Sequence, residues 1–136
     1  MDILYEDKHC VVCIKEPGCL SEDGPSETCM PRQLAAHYRA AGKNAYIAGV
    51  HRLDRIVGGL MVFSRSKRAT GTLAAAMTGG QFCKEYVAVL RGHPKERAGE
   101  LHDLLFRDGS KNKTYAVKRM RRGVREASLS YRVLAE

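Results

Sequence analysis

The apolar run Leu60-Met61-Val62-Phe63, introduced by Gly58-Gly59 and closed by Ser64-Arg65-Ser66, is the strongest constraint in this chain. It is too short for a helix and bounded by turn residues. Gly59–Ser64 is therefore expected as a strand buried on both faces, which the rest of the chain must cover. The stretch His51–Leu60, HRLDRIVGGL, leads into it and sets Asp54 between Arg52 and Arg55. A charged cluster, a Gly-Gly turn and a buried strand in succession can hold a reactive side chain at the rim of a sheet.

Around this run the punctuation is dense. Ile3–Asp7 and Cys10–Lys15 read as a β-hairpin about the turn Asp7-Lys8-His9, ended by Glu16-Pro17-Gly18. Cys19–Met30, with Ser21, Asp23, Gly24, Pro25 and Ser26, reads as an exposed loop. Pro31–Ala41 carries Leu34, Ala35, Tyr38 and Ala41 at helical spacing, with Gly42 as a stop. Tyr46–Val50 is a short strand. Ser66 is an N-cap for a helix from Lys67 to Met77 or Thr78, with Leu73 and Met77 in its apolar stripe and Gly79-Gly80 at its end. Lys84–Arg91, KEYVAVLR, alternates with period two and predicts another strand. Glu100–Phe106, Thr114–Arg119 and Ala127–Leu134 follow. The sum is an α+β fold of about six to eight strands, a mixed but mainly antiparallel sheet with two helices packed on it.

A chain of 136 residues makes one compact domain, and with no Trp, 3 Phe and 6 Tyr its core must be mostly aliphatic. The net charge is +8, and Lys111–Arg125 holds seven basic residues and no acidic one. Such a stretch can follow a phosphate backbone, or it can be a solvated basic edge. No apolar run reaches the ~18–20 residues of a membrane-spanning helix. The acidic N-terminus shows no signal-peptide pattern, and the 5 cysteines are an odd number, so reduced thiols and a cytoplasmic location are expected. Cys10 and Cys13 form a CxxC, but in a strand they face opposite sides and no second CxxC exists, so no metal site is expected.

If its neighbouring guanidinium groups reach it, Asp54 is an acidic carboxylate suited to a nucleophile or electrostatic role; the alternative is a structural ion pair at a turn. No serine-nucleophile elbow, GxxxxGK[ST] or GxGxxG is present, so a nucleotide cofactor is not expected. A strand tyrosine such as Tyr86 can stack on an unpaired base, or it can be an ordinary sheet aromatic.

Four stretches taken in order resemble the RluA-like RNA pseudouridine synthases: the hairpin ending in Lys15-Glu16-Pro17-Gly18, the signature Val50-His51-Arg52-Leu53-Asp54-Arg55, the strand Gly59–Ser66, and the tyrosine strand Lys84–Gly92. Where that family usually has Thr-Ser-Gly, this chain has Val57-Gly58-Gly59. The resemblance implies isomerisation of a uridine to pseudouridine in rRNA or tRNA, without metal or cofactor. It assigns Asp54 as the catalytic carboxylate acting at the ribose, and Tyr86 as the residue on the uracil. It implies that Arg52 orders its loop and, with RNA, the flipped nucleotide; His51, Arg55 and Lys84 are further candidates for RNA contact, and the basic run makes Lys118, Arg119, Arg121 and Arg122 candidates by charge. The resemblance also implies further strands past the position of Glu136, including one with a basic partner for the Asp. The expectation is thus a C-terminally truncated catalytic domain with no separate N-terminal RNA-binding domain, weak or inactive alone. The competing reading is an inactive copy that binds RNA. A nucleoside glycosidase would need a second carboxylate, and Glu85 falls on the strand face opposite Tyr86.

Overall fold

A computed structural model describes residues 1–24 and 28–135. They form two compact units, residues 1–85 and 86–136. The first holds β1 (Ile3–Glu6), β2 (Cys10–Lys15), α1 (Met30–Ala40), β3 (Ala48–Gly49), β4 (Gly59–Ser64) and α2 (Lys67–Thr78). The second holds β5 (Ala98–Asp108), β6 (Lys113–Val117) and β7 (Val124–Arg132). The α+β class read from the sequence is the class observed. The strands form two sheets, ordered β1-β2-β4-β3 and β6-β5-β7, and every ladder is antiparallel.

The hairpin forms because Asp7 closes it: its Oδ1 accepts the backbone N–H groups of His9 and Cys10, each at 2.7 Å. Those bonds, Cys10 first, hold the Asp7 carboxyl below its ordinary range. Along β2, burial alternates, and Val11 and Cys13 lie opposite Phe63 and Met61 of β4. These four are the floor of the core, and Met30, Leu34 and Tyr38 of α1 cover them. Cys10 is half-buried and Cys13 fully buried, as opposite faces of one strand require. Burial pushes the Cys13 thiol up to about 11.

Pro31 sits in the first turn of α1, and Ala41 caps its end with Gly42 following at φ +68°. Ala41 is exposed rather than part of the apolar stripe. Tyr38 is buried and donates to Glu6 Oε2 at 2.6 Å; burial and this bond push its phenol up to about 12. The α2 N-terminus is capped by Ser66, whose Oγ accepts from the Ala69 N–H at 3.2 Å. Ser64, Thr70 and Tyr46 form a hydroxyl chain with steps of 2.6 and 3.1 Å that ties β4 to α2.

Four expectations change. β4 is not buried along both faces: Met61 and Phe63 point into the core, while on the other face Leu60 is exposed, Val62 half-buried and Ser64 buried. The expected strand Tyr46–Val50 shrinks to Ala48–Gly49, because the Tyr46 N–H is taken by Asn44 Oδ1. The loop Cys19–Met30 is not simply exposed: Cys19, Ser21, Cys29 and Met30 are buried, and Leu20 pairs with Cys29 in a parallel bridge. Pro25 and Ser26 of that loop lie outside the described residues. Finally, Lys84–Arg91 is not a strand. Period-two alternation gives a segment two faces but supplies no neighbour for its N–H and C=O groups, and among the described residues no strand pairs with it. Its apolar side chains stand in solvent, with Val87 at 84% and Val89 at 99% exposure.

In the second unit, β5 pairs with β7 from Ala98↔Arg132 to Phe106↔Val124, and with β6 from Leu104↔Val117 to Asp108↔Lys113. Asp108 Oδ1 organises the β5–β6 turn by accepting from Ser110 and Lys111. Gly123, at φ +86°, completes the β6–β7 turn, where the Val124 N–H reaches Arg121 O at 3.0 Å.

Candidate active site

The signature segment lies in the first unit, between β3 and β4, and its backbone is pinned from three sides. Ser21 Oγ accepts the Leu53 N–H at 3.0 Å and donates to Leu53 O at 2.5 Å. The Gly18 N–H donates to Arg55 O at 2.6 Å. Lys15 is fully buried, and its Nζ donates to Glu16 O at 3.1 Å, Arg55 O at 3.2 Å and Val57 O at 2.7 Å. The Val57 N–H closes a turn on Asp54 O at 3.0 Å. Leu53 is buried in the core. Gly59 enters β4 at φ +147°, and a Cβ at Gly58 would lie 3.0 Å from Pro17 Cδ, so the paired glycines admit a close approach of the two turns.

On this fixed backbone Asp54 is exposed, and its carboxylate has no hydrogen bond or ion pair among the described residues. The expected cluster is therefore split. Arg52 turns to Glu22, with Nη1 2.6 Å from Oε2, and Arg55 Nε donates to Gly18 O at 3.0 Å. Neighbours along an extended turn project in different directions, so adjacency in sequence does not bring the two guanidinium groups onto the carboxylate. A hollow of about 560 Å³ lies beside Arg52 and is lined by Ser21, Glu22, Asp23, His51 and residues of β3.

His51 is committed to the fold: its Nε2 accepts the Val62 N–H at 2.9 Å. A ring accepting at that nitrogen is neutral, with its proton on Nδ1. Burial, and then the charge of Lys84, lower its pKa.

The remaining expected residues belong to the second unit, Lys84 excepted. Tyr86 is exposed and carries no hydrogen bond among the described residues. Lys118, Arg119, Arg121 and Arg122 occupy the β6–β7 turn and are exposed; the Arg121 guanidinium lies 4.9 Å over the Phe106 ring.

Lys15 and Ser21 are the two residues that sequence reasoning missed. Lys15 had a visible signal, since it shares the phase of the buried Val11 and Cys13. Ser21 had none, because it reads as one polar residue among several in a loop.

The RNA pseudouridylate synthase family matches residues 9–136. The chain belongs to this family. It is 29% identical over 113 residues to the RNA pseudouridine synthase YhcT of Bacillus subtilis, a match covering 81% of this chain and 37% of that protein. It is 31% identical over 131 residues to the dual-specificity RNA pseudouridine synthase RluA of Vibrio parahaemolyticus, covering 83% and 49%. Among solved structures, human RNA pseudouridylate synthase domain containing 4 superposes with a TM-score of 0.81 at 23% identity, covering 99% of this chain and 54% of that one, which establishes the shared fold. The chain thus matches between about a third and a half of the length of these relatives. Among the described residues no helix is long and apolar enough to cross a membrane.

Proposed function

We propose that this chain isomerises a uridine of RNA to pseudouridine through Asp54. In that reaction the bond from C1′ to N1 breaks, C5 becomes bonded to C1′, the C5 proton leaves and N1 gains one. One ionised carboxylate at the ribose is needed, in contrast to the pair that glycoside hydrolysis uses. The observation that carries the reading is an exposed, unpartnered carboxylate on a backbone held from three sides. A carboxylate locked into ion pairs would have to give them up before acting, whereas this one is available and its frame is already ordered. The other carboxylates beside the hollow, Glu22 and Asp23, are occupied by Arg52 and Arg32.

Tyr86 is the candidate for stacking on the uracil, and Lys118, Arg119 and Arg122 are candidates for phosphate contacts. Extruding a base costs a few kcal/mol, which such contacts offset. RNA is the substrate class that the relatives' names carry, and one of them, from Zymomonas mobilis, is named for the large ribosomal subunit, which supports rRNA as the proposed target; tRNA is the alternative that the sequence resemblance implies. The test is to incubate the chain with total rRNA and tRNA, digest to nucleosides and separate pseudouridine from uridine by chromatography. Slow formation that requires Asp54 is expected, since no basic side chain reaches Asp54 among the described residues. RNA binding without any Asp54-dependent pseudouridine would favour an RNA-binding module instead.

A further inference from the structure

We propose that Ser21 is the positioning residue for Asp54, the clasp that fixes the peptide plane on the N-terminal side of the carboxylate; this rests on the reading of Asp54 as the catalytic group.

The peptide planes around Asp54 are held by different partners. The Val57 N–H holds the Asp54–Arg55 plane, and Gly18 and Lys15 hold the Arg55–Ile56 plane. The Leu53–Asp54 plane is held at its carbonyl by Ser21 Oγ alone among the described residues, and the same hydroxyl takes the Leu53 N–H. Both Ser21 and Leu53 are buried, at 4% and 8% exposure. A hydroxyl is suited to the task because one oxygen can donate and accept at once. Removing it leaves a buried N–H and a buried C=O of one residue without partners.

Ser21 is itself anchored. The Leu20 N–H donates to Thr28 O at 3.1 Å, the Met30 N–H donates to Leu20 O at 2.8 Å, and Cys19 Sγ donates to Thr28 O at 2.8 Å. The start of α1 therefore holds the segment 19–21, and Ser21 holds Leu53, across 32 residues of sequence. The peptide plane on the N-terminal side of Asp54 thus depends for its position on one side chain. A catalytic group displaced by about 1 Å loses on the order of 100-fold in rate.

The test compares wild type, Ser21→Thr and Ser21→Ala in two measurements. One is amide hydrogen exchange at Leu53, with Thr70 of α2, whose N–H donates to Ser66 O at 2.9 Å, as an internal control. The other is single-turnover pseudouridine formation beside RNA affinity. Ser21→Ala is expected to speed exchange at Leu53 but not at Thr70, and to slow turnover about 10- to 100-fold at unchanged RNA affinity. Ser21→Thr is expected to restore both. Unchanged exchange at Leu53 in Ser21→Ala overturns the clasp, and unchanged turnover in that variant overturns the positioning role. If Ser21→Ala does not fold, Ser21→Cys keeps the shape and weakens both bonds, and wild-type turnover there overturns the proposal equally. Absence of turnover in the wild-type chain overturns the reading of Asp54 and the catalytic half of this proposal with it, while the exchange measurement still decides the clasp.

Discussion

Lys15→Met tests how the candidate site is built. The methionine keeps the length and bulk of the lysine stem, so the core suffers little loss of packing. What it removes is one Nζ that donates to three carbonyls at 3.1, 3.2 and 2.7 Å. The three losses differ in kind. Arg55 O keeps the Gly18 N–H at 2.6 Å, and Glu16 O keeps the Cys19 N–H at 3.3 Å, so each loses one of two donors. Val57 O has no second donor among the described residues. An unsatisfied buried carbonyl costs roughly 1–3 kcal/mol, and each weakened one roughly 0.5–1 kcal/mol. Relief of the desolvation of a fully buried ammonium offsets part of this, as replacement of buried charges by apolar groups often shows. The net expectation is a loss of about 1–3 kcal/mol. At an m-value of about 1–3 kcal/mol/M, that lowers the urea midpoint by about 1 M with the slope unchanged. Circular dichroism during urea unfolding reads it. A midpoint equal to or above that of wild type would refute the claim that this lysine holds the 55–57 turn.

Two further predictions concern charge. His51 accepts the Val62 N–H as a neutral ring, and its folded pKa lies below the ordinary 6.5. The native state therefore disfavours its protonation. The stabilising contribution is complete above about pH 6.5 and is lost as the pH falls from there through the lower folded value. Thermal melts at pH 7.5 and pH 5 should show this loss, and His51→Gln, whose amide oxygen can accept in place of the ring, should abolish that part of it; an identical drop in the variant would assign the dependence elsewhere. On the basic turn, Lys118→Ala or Arg122→Ala should weaken RNA binding about equally across sequences and reduce the salt slope by about 1 each. A slope that does not move would remove these residues from the RNA path.

The fold was legible wherever the signal was local. Asp7 closing a hairpin, Pro31 and Gly42 bounding α1, and Ser66 capping α2 are decisions made within a few residues, and they appear as read. Apart from the strand at Tyr46, cut short by Asn44 two residues away, the misreadings share one cause, which is that the deciding partner lies far along the chain. Alternation in Lys84–Arg91 describes two faces and says nothing about a neighbouring strand. The order Arg52-Asp54-Arg55 suggests an ion-pair cluster, yet Arg52 is claimed by Glu22 and Arg55 by Gly18. In the same way the frame of the site comes from contacts across 40 and 32 residues, Lys15 to Arg55 and Ser21 to Leu53. Asp54 is a candidate by its motif, whereas of the side chains that hold its backbone Lys15 shows in the sequence only as a residue in phase with Val11 and Cys13, and Ser21 shows only in the geometry.

The central claim is that Asp54 carries out the isomerisation. Joining C5 to C1′ expels the hydrogen at C5, so RNA made with uridine tritiated at that carbon releases tritium to water as it reacts. The measurement is single-turnover tritium release by the wild-type chain and by Asp54→Asn, with RNA affinity determined for both. The account predicts release by the wild type and none by Asp54→Asn at equal affinity. Release by Asp54→Asn at the wild-type rate would contradict it.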